Sequence, residues 1–252
     1  MTIRVMHGGL TDQGLVRKQN EDNWAVDPGQ GLFIVSDGMG GAFAGALASK
    51  IVVETLPVLL KKKMQGIPDM AMPDAAERLI AAIAELSDHV QTETKGEPGL
   101  AGMGATVVVA LVRLPQVLIG HMGDSRAYLL RGGRLEQLTT DHSIMQLLID
   151  QGEITPEEAL AHPSRGQLTR AVGMEGEALP EVRAITLEPG DRLLLCTDGL
   201  TGMVSDEIIS AILNRDLSPA DMCKQLIAAA NRAGGNDNIT AVIINMLPDG
   251  PE

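Results

Sequence analysis

The chain has 252 residues, of which 44% are hydrophobic and only 2% aromatic, and its formal net charge is −13 at pH 7. This length suits one large domain whose core is built from aliphatic side chains and methionine. The acidic balance and the scarcity of stacking groups argue against a nucleic-acid partner, and the charge disfavours an anionic membrane surface.

Cysteine content and apolar run lengths bear on the compartment. Cys196 and Cys223 show no zinc-ligand spacing and are expected to be small buried hydrophobes in a reducing environment. The first residues lack the apolar region of a signal peptide, and the longest apolar stretch, 105–112, is too short to cross a bilayer. We therefore expect a cytoplasmic protein, with a monomer as the default state.

Strand-like and helical patterns follow one another in groups along the chain. The first third predicts strands at 3–6 and 32–35, then helices at 44–64 and 73–90. The middle predicts strands at 106–112, 117–121 and 127–130, then short helical pieces at 144–150 and 156–161. The last part predicts strands at 182–187, 192–196 and 239–246, with helices from Ser205 to Leu213 and from Ser218 to about Arg232.

This order is typical of an α+β protein. Strands that follow one another through hairpin-like turns favour antiparallel sheets with helices packed outside them, rather than a strict βαβ alternation. Most of the strand runs are continuously apolar, which predicts that they are covered on both faces. The segment 141–170 breaks the pattern and resembles an insertion beside a sheet edge.

Aspartates mark the points where apolar runs end. Asp37, Asp124 and Asp198 each follow a strand-like run, Asp237 precedes the last one, and Glu21-Asp22 lies near the start. Buried carboxylates need compensation, and a divalent cation is the simplest one. The alternative is structural, because Asp-Gly is a common turn dipeptide at 37–38 and 198–199.

The segment 11–22 mixes cationic and acidic residues. It is interpreted either as a solvated charged loop or as a site where the planar guanidinium of Arg17 binds a phosphoryl group. The sequence alone leaves both interpretations open.

Seven ordered motifs then bear on the choice. They are TDxGxxRxxNED at 11–22, DGMGG at 37–41, GMGAT at 102–106, GDSR at 123–126, LTRAVG at 168–173, TDGL at 197–200 and GGNDNIT at 234–240. In this order and rough spacing the chain resembles the PPM family, the metal-dependent type 2C protein serine/threonine phosphatases, in its bacterial branch. The resemblance covers about residues 3–246.

The resemblance implies a single catalytic domain over 1–252, a four-layer α-β-β-α sandwich of two antiparallel sheets, with 141–170 as a flap subdomain. It implies two Mn²⁺ or Mg²⁺ ions, with a weaker third site. Asp37 would bridge the two ions and the Gly38 carbonyl would bind one of them. The remaining implied ligands are Asp198 and Asp237 at the first ion, Asp22 and less firmly Glu21 at the second, and Asp124 at the third.

The implied activity is hydrolysis of phosphoserine and phosphothreonine by a hydroxide that bridges the two ions, with Arg17 and Asp37 as catalytic residues and Arg17 holding the phosphate. One departure concerns proton delivery. Met39 stands where animal members have a histidine assigned as general acid, so we expect water to protonate the leaving group. A second departure is the absence of a glutamate after Gly45, for which we expect little catalytic consequence.

Two other functions remain open at this stage. One is a catalytically silent PPM-like module that binds phosphoproteins or regulates a partner. The other is a switch phosphatase of the anti-sigma-factor type. For the catalytic interpretation, the resemblance implies phosphorylated proteins as substrates, with a eukaryotic-type serine/threonine kinase and its targets as the natural partners.

Overall fold

The computed structural model describes residues 3–248 except 41–42, 68, 71–72, 96, 101, 160–161 and 177–178. The strands are β1 (Ile3–Asp12), β2 (Asn23–Asp27), β3 (Leu32–Ser36), β4 (Gly38–Met39), β5 (Gly104–Ala105), β6 (Val107–Arg113), β7 (Gln116–Met122), β8 (Arg126–Arg131), β9 (Arg134–Gln137), β10 (Glu181–Thr186), β11 (Arg192–Cys196) and β12 (Ile239–Pro248). The helices are α1 (Ala44–Lys63), α2 (Pro73–Thr94), α3 (Ile144–Asp150), α4 (Pro156–Ala159), α5 (Asp198–Thr201), α6 (Asp206–Leu213) and α7 (Pro219–Arg232), with a 3₁₀ turn at Pro98–Leu100.

Two five-stranded antiparallel sheets form the centre of the molecule. The first sheet has the order β1-β12-β11-β8-β9 and the second has the order β10-β7-β6-β3-β2. A third, two-stranded sheet pairs Gly38 with Ala105 and Met39 with Gly104. We call the five-stranded sheets the first and second sheet below.

Successive side chains of a strand point to opposite faces of its sheet, so the core consists of three hydrophobic layers, one between the sheets and one between each sheet and its helices. In β3, Phe33 and Val35 point between the two sheets, whereas Leu32 and Ile34 point toward α1 and α2. The other face of the first sheet packs against α5, α6 and α7. Because both faces of the inner strands are covered, these strands are apolar throughout, as the sequence predicts.

The four-layer α-β-β-α arrangement predicted from the family resemblance is confirmed. Both cysteines are free and buried, and burial raises the pKa of each thiol to about 12. Among the described residues, no helix combines the length and apolar character needed to span a membrane.

The predicted elements are found, but the sequence missed four strands and one helix. Two of the strands, β4 and β5, have only two residues each. The other two, β2 and β9, are short edge strands that begin and end with polar or charged residues, which leaves at most three consecutive apolar residues. The helix α5 has four residues and begins at Asp198, where an Asp-Gly turn is the structural alternative from the sequence. The short helix predicted at 156–161 is described up to Ala159, and its last two residues lie outside the described residues.

The segment 141–170 leaves the sheets and returns to them at one narrow base. The backbone N–H of Ile144 donates to Gln167 O, and that of Thr169 donates to His142 O. Arg126 on β8 binds both carboxylate oxygens of Asp141, at 2.8 and 2.7 Å. The helices α3 and α4 lie within this excursion.

Candidate active site

Strand register places the sequence-predicted aspartates at one edge of the sandwich. In the second sheet, Val35 at the end of β3 pairs with Val108 near the start of β6, and Met122 at the end of β7 pairs with Val107. The residues that follow β3 and β7 therefore leave the sheet at the same edge. In the first sheet, Cys196 at the end of β11 pairs with Ala241 near the start of β12.

A cavity of about 530 Å³ opens at this edge. The residues on its walls include most of the predicted ones: Arg17, Glu21, Asp37, Gly38, Asp124, Asp198 and Asp237. Asp22 is not among the lining residues and lies behind this wall, with only 4% of its surface exposed.

The backbone of Asp37 is fixed by two hydrogen bonds with Thr106. Its N–H donates to the Thr106 hydroxyl at 2.9 Å, and its carbonyl accepts from the Thr106 N–H at 2.8 Å. Position 38 requires glycine, because a Cβ there would lie 2.0 Å from Gly45 O. The start of α1 therefore packs directly against the segment that carries Asp37.

Asp198 and Asp237 are brought together by a close approach of two backbones. A Cβ at Gly199 would lie 1.9 Å from Asn238 O, so only glycine allows α5 to start beside the segment before β12. The Asn238 side chain then secures the neighbouring loop. It accepts from the Glu21 N–H at 2.8 Å and donates to the carbonyls of Gln13 and Gln19, both at 2.9 Å.

Asp22 is fixed through one of its two oxygens. Its Oδ2 accepts from the Thr197 hydroxyl at 2.9 Å and from the Thr240 hydroxyl at 2.7 Å. Its Oδ1 is buried without a hydrogen-bond partner in the described part of the chain, and the same holds for Asp198 Oδ1. Buried carboxylate oxygens without donors are costly unless a cation balances them.

The electrostatics of the cluster lead to the same conclusion. Burial, followed by repulsion from Asp22 and Asp198, raises the pKa of Asp37 well above its ordinary range. Burial and the charge of Asp198 do the same to Asp124, and burial raises the pKa of Asp22 to about 7. These shifts arise because several anions share one partly desolvated site with few positive charges.

The donor set therefore fits hard divalent cations. All candidate ligand atoms are oxygens, from carboxylates and the Gly38 carbonyl, which is the chemistry that Mg²⁺ and Mn²⁺ prefer. The unpartnered oxygens of Asp22 and Asp198 lie within or next to the cluster. A bound cation would offset the repulsion that raises the pKa values.

Arg17 stands at the mouth of this acidic cavity. Its Nη2 donates to Asp237 Oδ2 at 2.6 Å, and about half of the Arg17 side chain is exposed. Lys18 lines the same cavity. The guanidinium thus combines a fixed position with access to solvent, which is what binding of an incoming phosphoryl group requires.

Three residues near the aspartates have no role predicted from the sequence. Thr106 and Asn238 lie inside the quoted motifs, at the start of the strand region before β6 and directly after Asp237. The third is Arg165 in the 141–170 excursion, whose positive charge lowers the pKa of Asp198 against the larger effects of burial and Asp237. No local pattern around Arg165 indicated this effect on Asp198, because only the tertiary fold brings the two residues near each other.

Met39, Gly166 and Leu168 complete the cavity wall. Gly166 and Leu168 belong to the returning arm of the 141–170 segment, so this segment contributes directly to the site. Met39 packs toward Gly104, where a Cβ would lie 2.7 Å from Met39 Cε. A thioether cannot supply a proton.

A second group of metal-binding residue types lies at the base of the same segment. His121, His142 and Glu181 bring their ligand atoms within 4.8 Å of one another. The two imidazole rings stack with centroids 4.5 Å apart, and Gly123 N–H donates to His142 Nδ1. Stacked rings direct their nitrogen lone pairs side by side rather than toward one point, so we interpret this group as a structural link, whose pairing the spacing of the histidines did not predict.

Cavity size alone does not identify the site. A larger cavity of about 730 Å³ lies at the opposite edge of the second sheet, beside the start of β3 and the end of β6. Its described lining residues include Lys61 and Arg113 but no aspartate or glutamate.

Comparison with known proteins agrees with the geometry. The profile of the protein phosphatase 2C family matches residues 16–241. The serine/threonine protein phosphatase PstP of Mycobacterium tuberculosis is 39% identical over 248 residues, which cover 98% of this chain and 46% of PstP. The chain thus spans about half the length of that relative.

A relative of similar length and a solved structure extend the comparison. The serine/threonine phosphatase stp of Listeria welshimeri is 37% identical, with 95% of this chain and 96% of stp covered. The crystal structure of the PstP catalytic domain in complex with two manganese ions superposes with a TM-score of 0.85 at 36% identity and covers 98% of this chain and 100% of that domain. The chain belongs to the protein phosphatase 2C, or PPM, family.

Proposed function

We propose that this chain is a metal-dependent protein serine/threonine phosphatase that uses two Mn²⁺ or Mg²⁺ ions, with a weaker third site. The observation that carries the proposal is the convergence of four partly buried aspartates on a cavity whose mouth holds Arg17, with the buried Asp22 behind its wall and with unpartnered oxygens on Asp22 and Asp198. The names of the relatives and the manganese in the PstP structure support it.

The roles follow from position in the cavity. Asp37 is central because its pKa responds to Asp22, Asp198 and Asp124, so it is the residue best placed to bridge two ions. The carbonyl of Gly38, the next residue in the chain, would bind one of these ions. Asp198 and Asp237 would complete the first ion's ligands, and Asp124 would hold the third ion.

Glu21 and Asp22 would serve the second ion from different depths. Glu21 lines the cavity and is able to order water at an ion, whereas Asp22 lies behind the wall. Asp22 contributes negative charge and one free oxygen, and the hydroxyls of Thr197 and Thr240 fix its orientation.

Bound divalent ions would supply charge neutralisation for the phosphate dianion and a lowered pKa for a water molecule. The chain's own residues bind and orient the substrate. Arg17 would grip the phosphate oxygens through its planar fork, exchanging its contact with Asp237 for the incoming anion. The protein's net charge of −13 makes this cationic contact necessary at the mouth of the site.

The leaving serine or threonine oxygen needs a proton. Met39 has none to give, and no histidine is among the described residues that line the cavity. Water in the cavity would therefore protonate the leaving group. This route is available because the site is open to solvent at Arg17.

The natural substrates would be phosphorylated proteins, among them a eukaryotic-type serine/threonine kinase and its targets. We also propose that the chain works in the cytoplasm as a monomer, as a single catalytic domain whose flap comprises residues 141–170. The buried free cysteines and the acidic surface support this setting.

The proposal is tested by following phosphate release from phosphoserine and phosphothreonine peptides with Mn²⁺, with EDTA, and with Mn²⁺ restored after EDTA. We expect turnover only in the presence of the metal and full recovery on its return. Turnover in EDTA would contradict the metal-dependent mechanism. Tight peptide binding without turnover under all three conditions would instead support the silent phosphoprotein-binding module.

A further inference from the structure

Three apolar side chains beside the cavity are exposed to an extent that folding does not explain. Phe43 is 77% exposed, Leu15 69% and Val16 64%, and only Val58 at 67% has comparable exposure among the large hydrophobic residues described. We call Leu15, Val16 and Phe43 the apolar rim. Exposed apolar groups gathered beside a cavity mark binding surfaces.

The rim residues belong to two chain segments that reach the cavity wall, at Arg17 and at Gly40. Leu15 and Val16 directly precede Arg17, and the Leu15 N–H donates to Gly235 O at 2.7 Å, two residues before Asp237. Phe43 precedes α1, whose first residues pack against Gly38 on the side of the second sheet. The two rim segments are therefore within reach of residues next to a phosphorylated side chain that enters the cavity.

The loop that carries Leu15 and Val16 is fixed in place. Asn238 binds the carbonyls of Gln13 and Gln19, on either side of the pair. Gly14 adopts φ +75°, and a Cβ there would lie 2.2 Å from Asp237 O. The two side chains are thus held outward by a rigid loop, which lowers the entropy lost when a ligand contacts them.

Phe43 lies at the start of α1, where a polar capping residue would make the helix more stable. It occupies the N-cap position of α1, makes no side-chain capping bond, and the first turn of the helix has no acidic residue. Ser, Thr, Asp and Asn are the residues that stabilise this position. The chain has only two phenylalanines, one tryptophan and one tyrosine, and Phe33 and Tyr128 are buried while Trp24 is partly buried. Its most exposed aromatic therefore lies beside the cavity.

We propose that the apolar rim binds hydrophobic side chains that flank the phosphoserine or phosphothreonine of a protein substrate. The inference rests on the proposed phosphatase function and names the substrate class: phosphorylated segments with leucine-like residues next to the phosphorylated position. Arg17 and Lys18 would hold the phosphate, and the rim would select its neighbours.

The test compares phosphothreonine peptides of equal length and net charge that carry either leucine or serine at the three positions on each side of the phosphothreonine. We expect kcat/KM for the leucine peptides to exceed that for the serine peptides by about tenfold, as burial of one or two side chains gives. Phe43→Ser and the double variant Leu15→Ser/Val16→Ser should each reduce this ratio to about threefold or less. The matched control is Val58→Ser, which removes a comparably exposed apolar group from α1, the helix that Phe43 precedes, and should keep the wild-type ratio.

Two further readouts separate this inference from its alternatives. All variants should hydrolyse a small aryl phosphate with Mn²⁺ at close to the wild-type rate and melt at or above the wild-type temperature, since serine at position 43 adds a helix cap. If the wild type fails with the aryl phosphate, the proposed function itself is wrong. If the aryl phosphate is hydrolysed but leucine and serine peptides react equally, only the inference is overturned. It is likewise overturned if sedimentation shows a dimer that Phe43→Ser dissociates while the peptide ratio stays unchanged.

Discussion

Single glycines at the site decide whether the aspartates can meet. At Gly199 and Gly38 there is no room for a Cβ, because the carbonyls of Asn238 and Gly45 lie 1.9 and 2.0 Å from its place. Neither glycine adopts a left-handed backbone, so glycine is required at these positions because two chain segments pack closely there. The Asp-Gly pairs that the sequence presents as possible turns are instead contact points between segments.

Gly199→Ala is therefore expected to be severe. The methyl group would push α5 away from the segment before β12, which should lower the free energy of unfolding by about 1–3 kcal/mol and displace Asp198 from Asp237. Urea denaturation and Mn²⁺-dependent hydrolysis of an aryl phosphate measure the two effects. Gly99→Ala is the control, since no heavy atom lies within 4 Å of its added Cβ. Equal activity of the two variants would contradict this packing argument.

Arg17→Ala should separate substrate binding from chemistry. The guanidinium contacts Asp237 at the cavity mouth and is half exposed, so its loss removes a binding contact while leaving the buried aspartates in place. We expect KM for a phosphothreonine peptide to rise by about tenfold or more, the effect of losing a charge-assisted hydrogen bond, with a smaller fall in kcat. An unchanged KM would exclude Arg17 as the main phosphate contact.

At the scale of elements, the base of the 141–170 excursion carries a pH-sensitive contact. His142 is buried, and its Nε2 lies 3.1 Å from Glu181 Oε1. Burial, with the nearby His121 and Arg170, lowers the pKa of His142 to about 4. The unfolded chain binds a proton at this histidine near its ordinary pKa of about 6.5. Between pH 6.5 and 4 the unfolded state therefore binds a proton at His142 and the folded state does not. As pH falls through this range, the free energy of unfolding decreases.

His142→Asn should remove that contribution. The free energy of unfolding of the wild type minus that of the variant should decrease as pH falls from about 6.5 to about 4. Urea denaturation with saturating Mn²⁺ is the measurement, because bound metal keeps the aspartate cluster from adding its own titration of opposite sign. His89→Asn changes an exposed histidine of α2 and serves as the control. A difference that stays constant over this pH range would show that His142 is not held neutral.

The elements also show how far sequence reasoning reaches. Continuous apolar runs predicted β3, β6, β7, β11 and β12 because these strands are buried on both faces. The strands β2 and β9 were missed because their apolar runs are too short, β4 and β5 because they have two residues each, and α5 because four residues give no helical period.

The site shows the same limit. The aspartates at strand ends were visible as breaks in apolar runs, and the ordered motifs indicated which of them belong together. Arg165 and the stacked pair His121 and His142 were not visible, because their contacts join segments that are distant in sequence. Asp22 was expected among the ligands, but its depth behind the cavity wall follows only from the fold.

At the scale of the whole molecule, metal and stability are linked. The sandwich brings five aspartates to one edge, and burial and mutual repulsion raise the pKa values of Asp22, Asp37 and Asp124 above their ordinary range. Such a cluster destabilises the metal-free fold at neutral pH, when the unfolded chain holds these groups ionised in water.

Mn²⁺ should therefore raise the melting temperature of the wild type. At a free concentration 100 times the dissociation constant, one site adds about 2.7 kcal/mol to the free energy of unfolding. In EDTA, Asp37→Asn should be at least as stable as the wild type, because it removes one buried negative charge and keeps the shape of the side chain. Thermal unfolding with and without Mn²⁺ measures both effects, and a melting temperature that Mn²⁺ leaves unchanged would contradict the linkage.

The central claim is that this one cluster binds the divalent ions on which hydrolysis depends, with Asp37 between two of them. Calorimetric titration of Mn²⁺ into the metal-free protein tests it most directly. We expect at least two bound ions for the wild type, loss of tight binding in Asp37→Asn, and loss of only the weakest site in Asp124→Asn. Unaltered stoichiometry and affinity in Asp37→Asn would contradict it.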